Sequence, residues 1–189
     1  MNQIIGGAML ASLLTSNALF SVQPVVSPSI TIEATQNSSI SIADTDKDEE
    51  ILWLARALYS ETKDEYEMRL VAWVVRNRVE GKFLGDTTYK AVVTHKNQFS
   101  GLNNSDKQFA HNISRTYEHT QAAWQNALDI AEEVYNAGNK KRLIAKNVIY
   151  FYSPTVVRKP SWALDKNLAL TTHGSNGLAR FAFYYEPKL

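Results

Sequence analysis

Leu54-Ala55-Arg56-Ala57-Leu58-Tyr59-Ser60-Glu61-Thr62-Lys63-Asp64-Glu65 is the stretch whose reading decides the fold. Ile51, Leu54, Ala55 and Leu58 recur at three- and four-residue spacing, the pattern of a helix with one buried face. Glu61 follows Leu58 by three residues, so a continuing helix projects it from nearly the same stripe. A carboxylate at the end of a buried stripe is partly desolvated, and desolvation favours the protonated form. That is the condition for a carboxylic acid able to donate a proton near neutral pH. A second reading takes Glu61, Asp64 and Glu65 as a solvated helix end followed by the first turn of the next helix. Spacing alone leaves both readings open.

Outward from this stretch the pattern stays helical. Thr62-Lys63-Asp64 is a break, and Asp64 with Glu67 has capping-box spacing. A second helix is expected over Glu65 to Val79, dense in Leu70, Val71, Trp73, Val74 and Val75. Arg76 and Arg78 in its last turn suit the negative dipole end, and Gly81 is a stop signal. Upstream, Asp46 or Asp48 can N-cap the first helix, which places the start of the domain near Asp46. Thr88 to Val93 suggests a short helix, and His95 to Gly101 a loop. Asn103 to Tyr117 is polar, an exposed loop with local helix. Thr120 to Asn136 carries the stripe Trp124, Ala127, Leu128, Ala131, Val134 and Tyr135, ended by Ala137-Gly138-Asn139. Trp73 and Trp124 lie within apolar stripes and belong to the core. Asn147 to Pro154 and Phe181 to Tyr185 are β-branched and aromatic and are expected to pair as a small sheet. Between them lie Pro160-Ser161-Trp162 and the turn-rich Thr171 to Gly177. The sum is a single, mostly helical α+β domain over 46–189 with a small β element, an arrangement that places a cleft between helices and sheet.

The 189 residues suffice for one domain and a tail, with 44% hydrophobic and 21% charged residues, as in globular chains. No Lys or Arg occurs in 1–45, where Glu33 and Asp44 are the only acids. Residues 46–189 therefore hold all 20 basic side chains against 17 acidic ones, a net +3, too weak to argue for a nucleic-acid partner. The chain has no cysteine, which excludes disulfides, thiol catalysis and thiolate metal sites. His95, His111, His119 and His173 include no pair at i, i+4 and no H-E-x-x-H, so neither metal nor cofactor is expected. No G-x-S-x-G elbow or phosphate-binding glycine loop occurs. Carboxylate chemistry remains. The apolar run 4–14 with Ser16-Asn17-Ala18 resembles a secretory signal peptide, so 1–18 reads as a signal peptide or an apolar tail. It is too short for a transmembrane helix. Residues 19–45, with Pro24, Pro28 and many Ser and Thr, read as a flexible linker. The expected destination is outside the cytoplasmic membrane: periplasm, cell wall or medium, with a phage virion or host envelope as the alternative.

Three blocks carry a family resemblance: Leu54 to Glu65, then Val71-Ala-Trp-Val-Val-Arg-Asn-Arg78, then Asn97-Gln98-Phe99-Ser100. In this order and separation they resemble the SleB-type, spore-cortex-lytic cell-wall hydrolases. Tyr150 to Pro154, Ser161 to Ala163 and His173 with Phe183-Tyr184 are similar to that family's weaker C-terminal features, so the likeness spans roughly 50–185. Thr62-Lys63-Asp64 stands where the family has Ala-Arg-Gly, and Ala169 to Gly177 does not match cleanly.

The resemblance implies a lysozyme-like, transglycosylase-related fold acting on peptidoglycan glycan strands, with cleavage of the β-1,4 bond between N-acetylmuramic acid and N-acetylglucosamine. It implies Glu61 as the catalytic acid. A two-carboxylate hydrolase needs a second acid at roughly 5–5.5 Å or 6.5–9.5 Å, for which Asp64 and Glu65 are the sequence neighbours. The other route uses the muramic C6 hydroxyl as nucleophile and Glu61 alone, and the resemblance favours this lytic transglycosylase. Asn97, Gln98 and Ser100 would line the cleft, Gln98 meeting a sugar N-acetyl group and Phe99 anchoring the loop. Tyr150, Tyr152 and Trp162 are candidates for stacking on sugar faces, with core filling as the other reading. The competing function is a non-catalytic wall-binding or structural module of a phage tail or secretion assembly. A zinc amidase is the third.

Overall fold

The computed structural model describes residues 42–165, 167–170 and 180–187. The signal-like segment, the linker through residue 41, and the 171–179 stretch with His173 lie outside the described residues. Helix α1 spans Ile42–Glu61, α2 Glu65–Glu80, α3 Tyr89–Thr94, α4 Phe109–Ile113 and α5 Ala122–Asn136. Strands β1 (Val148–Tyr152), β2 (Ala169–Leu170) and β3 (Ala182–Tyr185) follow.

The helical core forms where the stripes meet. Leu54, Ala55 and Leu58 of α1 are fully buried, as are Val71, Val74 and Val75 of α2 and Trp124 and Ala131 of α5. Helix α1 packs on α5, α2 and α3, while α2 packs on α5 and on β1. Trp73 and Trp124 are core residues, and Tyr59 meets Trp124 edge-on at 5.7 Å. The sheet is antiparallel in the order β1-β3-β2, with Phe151 opposite Phe183 and Leu170 opposite Tyr184. The expected pair is thus present, and the two-residue β2 is an addition too short for any pattern to reveal. The molecule is a mostly helical α+β domain. Among the described residues no helix is long and apolar enough to cross a membrane.

Several local expectations are corrected. Helix α1 begins at Ile42, not near Asp46, so Asp46 and Asp48 lie inside it and do not cap it. The serine- and isoleucine-rich approach hid this start, because alternation masks a helical period. Asp64 does cap α2, its Oδ1 accepting from the Glu67 N–H at 2.8 Å. Glu67 does not complete the reciprocal half of the box. Its carboxylate accepts instead from the Thr62 hydroxyl at 2.7 Å and from the Arg180 N–H at 3.1 Å. Gly81 ends α2 with φ −86°, and the left-handed residue is Lys82 at φ +52°. Glycine serves there for space, since a Cβ would meet the Asn77 carbonyl oxygen at 3.0 Å. Arg76 pairs with Glu80 at its own helix end at 2.8 Å, and both arginines also reach other elements. Arg76 donates to the carbonyls of Val134 and Ala137 at the end of α5, and Arg78 to Ile149 of β1 at 2.7 Å.

Candidate active site

The buried stripe of α1 fixes Glu61. The Thr62 N–H still reaches the Leu58 carbonyl at 3.1 Å, so the last turn is helical through Glu61. The chain then turns at Lys63 and Asp64 into α2, leaving Glu61 at the open end of the stripe. There it lines a cleft of about 440 Å³ between the α1 terminus, the 97–103 loop, β1, the 153–162 segment and the start of β3. Asn97, Gln98, Ser100, Tyr152 and Trp162 line the same cleft. The sequence-expected residues therefore converge on one site, with Tyr150 as the exception.

Tyr150 stands off the cleft. Trp162 comes between, stacked on Tyr150 at 5.4 Å and edge-on to Tyr152 at 5.8 Å. Tyr150 also meets Phe83 edge-on at 5.6 Å and donates its hydroxyl to Glu186 Oε1 at 3.1 Å. It lines a separate pocket on the other side of Trp162. The register of β1 against β3 shifts between Val148 and Tyr150, and no sequence pattern signals that irregularity.

Burial is the dominant influence on Glu61 and raises its carboxyl from 4.5 to about 7, against the opposing pull of Arg180 and Arg78. Arg180 lines the cleft. Arg78 lies beneath it, 3% exposed, its guanidinium 5.7 Å from the Phe99 ring and 5.8 Å from the Phe151 ring. Burial, in turn, lowers Arg78 to about 10, which leaves it charged at neutral pH. Its Nη1 is buried without a hydrogen-bond partner among the described residues. Sequence reasoning missed Arg78, yet a signal existed: it continues the stripe Val71, Val74, Val75 at helical spacing. It also missed Arg180, which no periodicity marks.

The neighbouring acids are used elsewhere. Asp64 caps α2, and Glu65 pairs with Arg69 at 3.5 Å and accepts from Asn126 at 3.0 Å. Among the described residues Glu61 is the only carboxylate lining the cleft. Phe99 is fully buried and packs at 5.9 Å on Phe151, so it anchors the loop from inside while Gln98 and Ser100 face the cleft. Asn97 adopts φ +65°, a left-handed conformation asparagine tolerates better than most residues, and its N–H donates to Asn103 Oδ1 at 3.3 Å. The site thus offers one partly buried, protonatable carboxyl, amide and hydroxyl groups on one wall, and aromatic faces on the other. No curated protein and no solved structure matches the chain. The family model for cell wall hydrolases matches residues 60–177, from the residue before Glu61 past Trp162 and short of Arg180, and the chain belongs to that family.

Proposed function

We propose that the chain is a lytic transglycosylase that cleaves the β-1,4 bond between N-acetylmuramic acid and N-acetylglucosamine, with Glu61 as its single acid/base. Family membership supplies the polymer, peptidoglycan. The observation that carries the rest is a carboxylate in the cleft, the only one lining it among the described residues, raised to about 7 by burial. Protonated Glu61 donates to the glycosidic oxygen as the bond to muramic C1 breaks, and the N-acetylglucosamine end leaves as an alcohol. The resulting carboxylate takes the proton of the muramic C6 hydroxyl as that oxygen bonds to C1. An anhydro-muramyl end forms and Glu61 is again protonated, with no water consumed. Arg180 and Arg78 favour the transient carboxylate, so Glu61 is able both to give and to take the proton. From the cleft lining, Gln98 and Asn97 would bond sugar N-acetyl groups, Ser100 a hydroxyl, and Tyr152 and Trp162 would meet a sugar face. Tyr150 backs Trp162 from behind. The apolar run 4–14 supports work outside the cytoplasmic membrane, where the polymer lies.

The test is product analysis on purified sacculi. Mass spectrometry is expected to show anhydro-muramyl termini, and Glu61→Gln to abolish clearing while the protein stays folded. Reducing muramic ends carrying solvent oxygen would refute the lytic route. Full clearing by Glu61→Gln would remove Glu61 from the chemistry.

A further inference from the structure

The cleft does not close at its Ser60 and Ser100 edge. Both residues also line a second recess of about 340 Å³, which holds Lys63, Gln108 and His111. Gly101 lets the two walls meet there, because a Cβ at that position would lie 2.9 Å from Ser60 Cβ. Its lining includes one cation, Lys63, and one acid, Asp106, which form no ion pair with each other among the described residues. The Lys63 ammonium sits 3.4 Å from the centroid of the Tyr59 ring and donates to the Tyr59 carbonyl, which meets one of its three N–H groups. The buried Arg115 guanidinium lies 3.9 Å from the same ring centroid. Arg115 Nη2 is 2.7 Å from His111 Nε2. Arginine cannot accept, so that histidine nitrogen accepts and Nδ1 carries the proton, which makes it a donor. Among the described residues neither Lys63, Arg115 nor Arg180 forms an ion pair with a carboxylate. The one acid in the recess, Asp106, accepts from the Gln108 N–H at 2.7 Å. Burial, with the charges of Arg115 and Arg180, lowers the Lys63 pKa, so the ammonium sits where an anion would relieve it.

Peptidoglycan carries such an anion beside its scissile bond. Each muramic sugar carries a lactyl ether at C3 that ends in a carboxyl group or in a peptide with free carboxylates. A strand with muramic C1 at Glu61 must send that branch out of the cleft close by, and Ser60, next to Glu61, forms the shared edge with the recess. We propose that the Lys63–His111 recess is a binding site for a carboxylate of the muramic lactyl branch, an inference that rests on reading the cleft as a glycan site. Lys63 replaces no catalytic group. It selects strands whose branches are anionic.

The experiment measures kcat/KM for the full chain on sacculi fragments and on the same fragments with their carboxylates coupled to methylamine. Wild type is expected to lose about tenfold on the neutralised glycan, the loss of one charged hydrogen bond. Lys63→Met should bring the two substrates to within about twofold of each other, and Lys63→Arg should restore the preference. Amidase-stripped strands, which keep only the lactyl carboxylate, assign the anion: retained preference places it on the lactyl group, lost preference on the peptide. Equal wild-type kcat/KM on native and neutralised fragments overturns this site and leaves the glycan reading standing. A preference that survives in Lys63→Met does the same. Absence of cleavage of either fragment overturns the glycan reading and this site with it. Should Lys63→Met fail to fold, the wild-type salt response decides. KM should rise with ionic strength for the native fragments and not for the neutralised ones, and parallel responses overturn the site.

Discussion

At neutral pH Glu61 is divided about equally between acid and carboxylate, because burial raises it to about 7 while Arg180 and Arg78 hold it from rising further. In the proposed mechanism only the acid form protonates the leaving oxygen, so the first step weakens as that form is depleted. The kcat for wall cleavage should therefore be flat below pH 6 and fall toward a tenfold loss per pH unit above about 8, measured by turbidity against pH. An unchanged rate at pH 9 would show that another group supplies the proton. For Glu61 the stripe that precedes it left a buried and a solvated reading open in the sequence, and the family resemblance singled it out. Arg78 was passed over although it continues the α2 stripe, because a cation at a helix end has an ordinary solvated explanation. Only the structure shows its bond to the Ile149 carbonyl and its aromatic surroundings. Tyr150 illustrates the opposite failure, a residue of the right type on the right strand that stands behind Trp162 on a separate pocket.

Two elements must hold fixed for the cleft to exist, the turn from α1 into α2 and the docking of β1 on α2. The first depends on Asp64, whose exposed side chain caps α2, and Asp64→Ala should cost about 1 kcal/mol. The second depends on Asn77, 2% exposed, whose amide donates to the carbonyls of Ala145 at 2.8 Å and Val148 at 2.9 Å and accepts from Arg142. Asn77→Ala strands two carbonyls and an arginine donor, for which about 3 kcal/mol is the expected loss. Denaturant titration of both variants checks the ranking, with Asn77→Ala well below Asp64→Ala in stability. Equal losses would mean that the docking bonds do not hold β1. Helix α2 was legible almost to the residue, since a cap, a stripe and a stop agree. Its tertiary partners were not, because nothing in a helical period says which carbonyl an asparagine will meet seventy residues later.

At the scale of the molecule the helical layer and the sheet were readable from periodicity and aromatic content. The residues of their meeting surface were not, and Glu61 lies there, where its ionisation sets a dependence of stability on pH. Below pH 4.5 Glu61 is protonated in both the folded and the unfolded chain and costs nothing on that account. Between 4.5 and about 7 the unfolded chain releases the proton while the folded chain keeps it, so folded stability falls as pH rises. Above about 7 both states are ionised and the loss levels off. The interval corresponds to about 3 kcal/mol, of which about 2–3 should appear between pH 5 and 8. Glu80, held below its ordinary value by Arg76 and Arg142 despite burial, acts in the opposite sense and at lower pH, outside this window. Glu61→Gln removes the titrating group and keeps the shape of the side chain. The variant should therefore lack the decline between pH 5 and 8 and be more stable than wild type at pH 8 by about 2–3 kcal/mol, while inactive. Chemical denaturation of the pair at pH 5 and pH 8 reads the difference directly. Parallel stability curves for the two proteins would mean that Glu61 ionises as freely in the fold as in the unfolded chain. The cleft would then lack the desolvation on which its acid depends.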